Sequence, residues 1–209
     1  MSKTSKATVQ ACPADSLAKT PVPGRPTGRV AKSDWLDKAL EVLVSDGIDA
    51  VRVVELARQL NISKSGFYWH FRDRADLLEA MKRYWVDEFS GQLIDDVNAQ
   101  NGPLRERLVS LVRGIRAKES GKLDLAFTAW AQKDPSVQEL VDHVRDMRIA
   151  FVKGLLSETG GGYKKLASRA KLFVVYFSWS EVVFEPKTHG LVGEDLDAVL
   201  DIIVGEGGG

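Results

Sequence analysis

Residues 61–71 read NISKSGFYWHF, and Phe67 to Phe71 set four aromatic rings and an imidazole in five consecutive positions. Phe67 and Phe71 are four apart and share one face of a helix. Trp69 lies about 200° round the wheel from Phe67, with Ser65 four residues before it. Tyr68 and His70 fall on opposite flanks. Two rings thus anchor the segment inward, and Tyr68, Trp69 and His70 rim its open side. Lys64, Ser65 and Gly66 lead it. A helix start offers free N–H groups and a positive dipole end. Gly66 costs about 1 kcal/mol relative to alanine inside a helix, and is useful where another surface approaches the backbone closely. Tyr and His tips can bond phosphate oxygens. These residue types suit a helix laid in a DNA major groove. Packing of Tyr68, Trp69 and His70 against a neighbouring domain would also account for them.

Other chemistries find less support. His70, His143 and His189 are far apart in the chain. Asp142, His143 and Asp146 share a helix face, a spacing common by chance and weak as a metal site. Gly160-Gly161-Gly162 lacks the following Lys-Ser/Thr and the preceding strand of a phosphate loop. No Ser or Cys sits in a nucleophile elbow. Cys12 is the single cysteine, so neither an internal disulfide nor a Cys-based metal site is expected. The expectation is a protein that is not an enzyme, with no cofactor and no metal.

The elements that must position the aromatic cluster are helical throughout, and no strand pattern or internal repeat competes. Ser33 is expected to cap a first helix over about 34–46, with Leu36, Ala39, Leu40 and Leu43 inward and Gly47 as stop. A second helix spans about 52–60. Asn61 makes a sharp corner, because Asn tolerates the left-handed conformation. Ser63 caps a third helix over about 64–71. A long helix covers about 74–99, and Asn101-Gly102-Pro103 breaks it. Further helices follow at about 103–118, 122–133, 135–158, 164–185 and 193–204. Asp134-Pro135 is the cap and first position of the seventh. The fold class is all-α with about nine helices. The expected domains are a disordered basic arm (1–32), a three-helix helix-turn-helix DNA-binding domain (33–73) and a helical ligand-binding and dimerisation domain (74–209).

The chain has 209 residues and zero formal net charge, but residues 1–32 carry about +5 and the remainder about −5. A basic, Pro/Gly/Ser/Thr-rich arm before an acidic body suits contact with a polyanion. A merely solubilising tail has the same composition. No apolar run reaches the roughly 20 residues of a membrane span, and no secretion signal is apparent. A cytoplasmic protein with no membrane partner is the simplest expectation.

GIDAVRVVELARQLNISKSGFYWHFRDRADLLEAM (47–81) resembles the DNA-binding region of TetR-type (tetracycline-repressor-like) transcriptional regulators. The matching features are Gly47, Leu56-Ala57, Leu60, Ile62-Ser63, Phe67-Tyr68-x-His70-Phe71, Arg74 and Leu77-Leu78. The resemblance covers about 34–81, with a weaker likeness at 127–156. It implies that Tyr68 and His70 touch the DNA backbone, that Lys64, Ser65 and Gly66 reach bases, and that Arg74 contacts phosphate. Arg52 departs from the usual Ser or Thr; it cannot cap a helix but can reach a phosphate. Asn61 replaces the turn glycine. Trp69 holds the variable position, and apolar contact with a thymine methyl or a sugar is expected of it. Arg25 and Arg29 precede the first helix closely enough for the arm to enter a minor groove; non-specific phosphate attraction is the alternative.

In the body, the eighth helix is too apolar between Leu172 and Phe184 for an element with one wet face. Helices eight and nine are therefore the expected homodimer interface, as the resemblance also implies; a buried central helix of a monomer is the alternative. Trp85, Phe89, Phe127, Trp130, Phe173, Tyr176 and Phe177 are the candidates to line a small-molecule site, although each taken singly is as readily core. Arg113, Arg116, His143 and Arg148 are charged candidates more readily placed at the surface. The function expected is a ligand-responsive regulator, a repressor that binds a palindromic operator in double-stranded DNA as a dimer and is released by a small apolar or aromatic-compatible effector. The competing reading is an all-α small-molecule-binding protein without DNA-binding activity, which requires Tyr68, Trp69 and His70 to be buried.

Overall fold

The computed structural model describes residues 30–158, 163–183 and 194–204. Nine α-helices appear among the described residues, and no strand. They are α1 (Lys32–Asp46), α2 (Val53–Gln59), α3 (Arg74–Val86), α4 (Gln92–Asn98), α5 (Leu104–Ala117), α6 (Ser120–Ala131), α7 (Pro135–Ser157), α8 (Tyr163–Val183) and α9 (Glu194–Val204). Short 3-10 helices occupy Ile48–Ala50 and Lys64–Trp69, and one π turn, Asp87–Gly91, joins α3 to α4. None of the described helices is long and apolar enough to cross a membrane.

Local chemistry fixes the corners. Gly47 ends α1 at φ 79°, a conformation that costs glycine little, and its N–H returns to the Leu43 carbonyl at 3.1 Å. Asn61 takes the left-handed conformation at φ 55°, so Ile62 N–H closes on the Ala57 carbonyl at 3.0 Å and α2 stops. Asp73 caps α3 by accepting from Asp76 N–H at 2.8 Å, and Asp134 caps α7 by accepting from Ser136 N–H at 3.0 Å.

Three expectations are corrected here. Ser33 does not cap α1: the helix begins at Lys32, and Asp34 reaches back to accept from Ala31 N–H at 2.7 Å. A carboxylate in the first turn serves the open N–H groups better than a hydroxyl already inside the helix. The segment 64–71 is a 3-10 helix over 64–69 rather than an α-helix, since a short piece with Gly66 inside gains little from α-propagation. The long helix 74–99 is interrupted by the π turn at 87–91.

Two apolar cores result. The first holds α1, α2 and the 3-10 helix together around Trp35, Leu43, Leu56, Phe67 and Phe71, and extends through Leu77 and Met81 of α3 to Trp85 and Phe127. The second gathers α4, α5, α7, α8 and α9 around Leu108, Val152, Leu156, Phe173, Phe177 and Leu200. The helix α3 thus belongs to the first core along its length, from Leu77 to Trp85, and the π turn after it leads to the second. Three polar ties add to it. Tyr84 donates to Asp37 of α1 at 3.0 Å. Lys133, between α6 and α7, meets Asp49 at 2.5 Å. Arg74 donates from Nε to the Val51 carbonyl at 2.6 Å and from Nη2 to the Ile48 carbonyl at 2.8 Å.

Candidate nucleic-acid interface and effector cavity

The 3-10 helix sorts its side chains as the wheel requires. Phe67 and Phe71 are 0% and 2% exposed, Tyr68 and Trp69 are 55% and 76% exposed. Phe67 stands edge-on to Trp35 at 5.3 Å and stacks with Phe71 at 5.2 Å. These contacts press the helix onto α1 and leave the opposite face outward. Lys64, Ser65 and Trp69 share that face with Tyr68, and the Lys64 ammonium stands 5.8 Å from the Tyr68 ring centroid. Burial of the aromatic rim, which the competing reading needed, is not found. Ser63 opens the helix but does not cap it with its side chain; its hydroxyl lies 2.7 Å from that of Ser65.

Two side chains expected at phosphate are partly occupied by the protein itself. His70 Nε2 lies 2.9 Å from the Val30 carbonyl oxygen, which ties the chain entering α1 to the end of the 3-10 helix. Arg74 uses Nε and one Nη on the carbonyls of Val51 and Ile48. Arg74 keeps Nη1 and the second N–H of Nη2 for a phosphate, whereas His70, with its Nε2–H given to the Val30 carbonyl, donates to one from Nδ1 only as the imidazolium. Sequence spacing missed these bonds because Val30 is 40 residues from His70 and Val51 is 23 from Arg74. Arg52 is exposed beside them and donates from Nε to the Asp49 carbonyl at 3.0 Å. Arg25 and Arg29 lie outside the described residues.

The seven aromatics expected around one ligand do not share a site. Phe89 and Phe173 line a narrow cavity of about 30 Å³ between the π turn, α5, α7 and α8. Trp85, Phe127 and Trp130 belong instead to the first core: Trp85 and Phe127 stack at 4.1 Å with planes 10° apart, and Trp130 follows at 5.5 Å. Phe177 and Tyr176 pack within the second core, Phe177 at 4.5 Å from Phe173. Their concentration in three helices marks the seven as core or cavity residues, but not which gap each one fills.

Polar groups at and beside the cavity include Ser90 and Asp124, which sequence reading did not single out, and Arg148, which it named only as a charged candidate. Asp124 of α6, buried, pairs with Arg148 of α7, Nη1 to Oδ2 at 2.5 Å and Nη2 to Oδ1 at 3.1 Å. Arg148 Nε donates to the buried Ser90 hydroxyl of the π turn at 2.9 Å. The Trp85 indole N–H donates to Asp124 at 3.2 Å. Arg148, expected at the surface, is half-buried because Asp124 and Ser90 compensate its charge and donors. From the α5–α6 corner, Lys118 donates to the Glu88 carbonyl and to Gln92 Oε1, clamping the π turn from outside. That turn presents Phe89 and Ser90 to the cavity. Such turns recur at functional sites.

Residues 36–81 match the model for bacterial regulatory proteins of the tetR family. A stretch of 53 residues is 36% identical to the class D tetracycline repressor of Escherichia coli. That match covers 25% of this chain and 24% of the repressor's length. The fold is similar to a TetR transcriptional regulator from Legionella pneumophila, with TM-score 0.67, 19% identity, and 85% of this chain and 97% of that one covered. It is also similar to AibR solved with isovaleryl coenzyme A and operator DNA, with TM-score 0.58, 18% identity, and 83% and 96% covered. Residues 36–81 therefore match the tetR family of bacterial regulatory proteins, and the described residues share the all-helical fold of the TetR regulators they resemble.

Proposed function

We propose that this chain is a ligand-responsive transcriptional regulator, a repressor that binds a palindromic operator as a homodimer, and that it acts in the cytoplasm without catalytic activity of its own. The observation that carries this reading is the outward face of the 3-10 helix, where Tyr68 and Trp69 stand exposed over a buried Phe67–Phe71 anchor. Lys64, Ser65 and Gly66 reach base edges, and Tyr68 with the remaining nitrogens of His70 and Arg74 positions the helix on phosphate. Arg52 adds a charge at the start of α2, and Arg25 and Arg29 would follow an adjacent minor groove.

The division of labour follows the expected domains, a reading head over 33–73 and a ligand-binding and dimerisation body from 74 onward. Support for the dimer comes from α8 and α9, where Leu172, Val175 and Ile202 are 58%, 61% and 73% exposed. Apolar side chains set at helical spacing on a wet face favour a second copy. Support for an effector comes from the cavity beside the π turn and from AibR, solved with isovaleryl coenzyme A. An effector that spreads the π turn would move α3, and the Arg74 bonds would carry that motion to the reading head; operator affinity falls only as far as the effector prefers the spread state.

Selection of bound sequences from random DNA by the purified protein tests the reading. Enrichment of a palindrome is expected, with affinity falling steeply as salt rises. No enrichment at low salt would discredit it. Leu172→Glu with Val175→Glu is expected to give monomers in sedimentation and to lose the palindrome.

A further inference from the structure

We infer that the cavity beside the π turn takes an uncharged, mainly apolar molecule with a single hydrogen-bond acceptor, received by the Ser120 hydroxyl. This deepens the regulator reading, because such a molecule would be its effector. Ser120 opens α6 and is 2% exposed, and its Oγ is buried with no hydrogen-bond partner. It faces the cavity together with Ser90, Ser178 and Arg148, while the rest of the wall is apolar, from Leu93 and Leu111 to Phe151 and Phe173. A buried hydroxyl without a partner loses the bonds that water gave it. A ligand acceptor restores one.

The charge balance of the wall excludes charged ligands. Among the described residues Arg148 is the one cationic side chain on the cavity, and Asp124 already takes both of its terminal nitrogens, at 2.5 and 3.1 Å. A ligand carboxylate drawn to Arg148 would lie beside the Asp124 carboxylate and would displace it into an unpaired, buried state. A ligand ammonium drawn to Asp124 would meet Arg148 in the same way. Either charge is moved from water into an apolar enclosure with no counter-charge to spare. An uncharged acceptor leaves the pair intact. The cavity itself, about 30 Å³, is far below the roughly 300 Å³ at which drug-sized sites begin. Occupation must therefore displace a wall. The π turn is the wall whose backbone is irregular, and its Ser90 is hydrogen-bonded to the pair.

Three probes with one six-carbon acyl or alkyl chain separate the possibilities: methyl hexanoate, hexanoate and hexylammonium, titrated into the full-length protein. Binding is read by thermal shift and by tryptophan fluorescence, since Trp85 sits on Asp124. Methyl hexanoate is expected to bind at least about tenfold tighter than either charged probe, the ratio that roughly 1.4 kcal/mol of unpaired-charge cost gives. Ser120→Ala, which removes an unpaired hydroxyl and should not lower the melting temperature, is expected to weaken the ester about threefold or more. Ser120→Cys, a weak donor of similar size, should fall between them. Hexanoate binding as tightly as the ester, an unchanged ester affinity in Ser120→Ala, or no probe binding at all would each overturn the inference. The operator selection runs without probes. A protein that enriches a palindrome but prefers hexanoate fails here only. One that prefers the ester but enriches no sequence fails as a regulator and keeps its cavity chemistry.

Discussion

Arg148 and Asp124 face each other across the seam between α7 and α6, Nη1 to Oδ2 at 2.5 Å, with side chains 16% and 8% exposed. The pair joins the two cores. On one side Asp124 accepts from Trp85, whose ring stacks on Phe127 beneath α1. On the other, Arg148 donates to Ser90 in the cavity wall. Removing one partner leaves the other charge buried and alone. Asp124→Ala is therefore expected to lower stability by about 3 kcal/mol, and Asp124→Leu with Arg148→Met to recover most of it. Urea unfolding reads both, as a shift of midpoint at constant slope. A single variant as stable as the parent would show that the pair is solvated in solution.

Trp69 separates stability from recognition. Its ring is 76% exposed, so Trp69→Ala should change stability by less than about 0.5 kcal/mol. Affinity for the selected palindrome should fall by about 1 kcal/mol, with relaxed preference at one position of each half-site. Fluorescence anisotropy on matched and mismatched duplexes measures both. Unchanged affinity and preference would remove Trp69 from the interface.

Two glycines in helices should respond in opposite directions. A Cβ on Gly121 would lie 2.2 Å from the Ser178 carbonyl oxygen of α8, a backbone atom that cannot step aside cheaply. Gly121→Ala should cost about 1–3 kcal/mol by overpacking. A Cβ on Gly154 meets nothing within 4 Å. Gly154→Ala should gain roughly 0.5–1 kcal/mol, from helix propensity and a less flexible unfolded chain. Thermal melts of the two variants rank them against the parent, and equal melting temperatures would contradict the α6–α8 approach.

Tyr84 gives an alkaline signature. Burial, and then its hydrogen bond to Asp37, pushes its phenol up from 10.0 to about 12. The folded state favours the neutral phenol, so this stabilisation is whole below pH 10 and is lost as pH rises from about 10 towards 12. Tyr84→Phe lacks that dependence. The stability difference between parent and variant, followed by chemical unfolding from pH 9 to 12, should shrink with rising pH. A constant difference would mean that neither burial nor the Asp37 bond raises the Tyr84 phenol in solution.

Much of the reading head was legible in the sequence because its determinants are local. Gly47 and Asn61 mark positive φ, Asp134-Pro135 marks a helix start, and the spacing of Phe67 and Phe71 sorts one short helix into anchor and rim. Each of these features depends on residues within about one turn of chain. The 3-10 pitch at 64–69 leaves that sorting intact, since Phe67 and Phe71 stay inward and Trp69 outward in either geometry.

The body was legible only as a run of helices: six are expected from residue 74 onward, and seven are found among the described residues because the π turn splits the first. Apolar patterning marks Trp85, Phe89 and Phe173 as core or cavity residues. It does not say that the first stacks under α1 while the other two border a cavity. The Asp124–Arg148 pair spans 24 residues, and the Arg74 bonds to Ile48 and Val51 span 26 and 23. Burying a charge is tolerable only where a partner arrives from another element, and that arrival is a property of how helices cross. Sequence by itself determined most of the corners, the stops at Gly47 and Asn61 and the start at Asp134-Pro135, because φ preferences and such caps act within a few residues, but not the caps expected of Ser33 and Ser63. Tertiary structure alone decided which charges are paired, where α3 bulges and which aromatic rings meet a cavity, because those outcomes depend on contacts between helices remote in the chain.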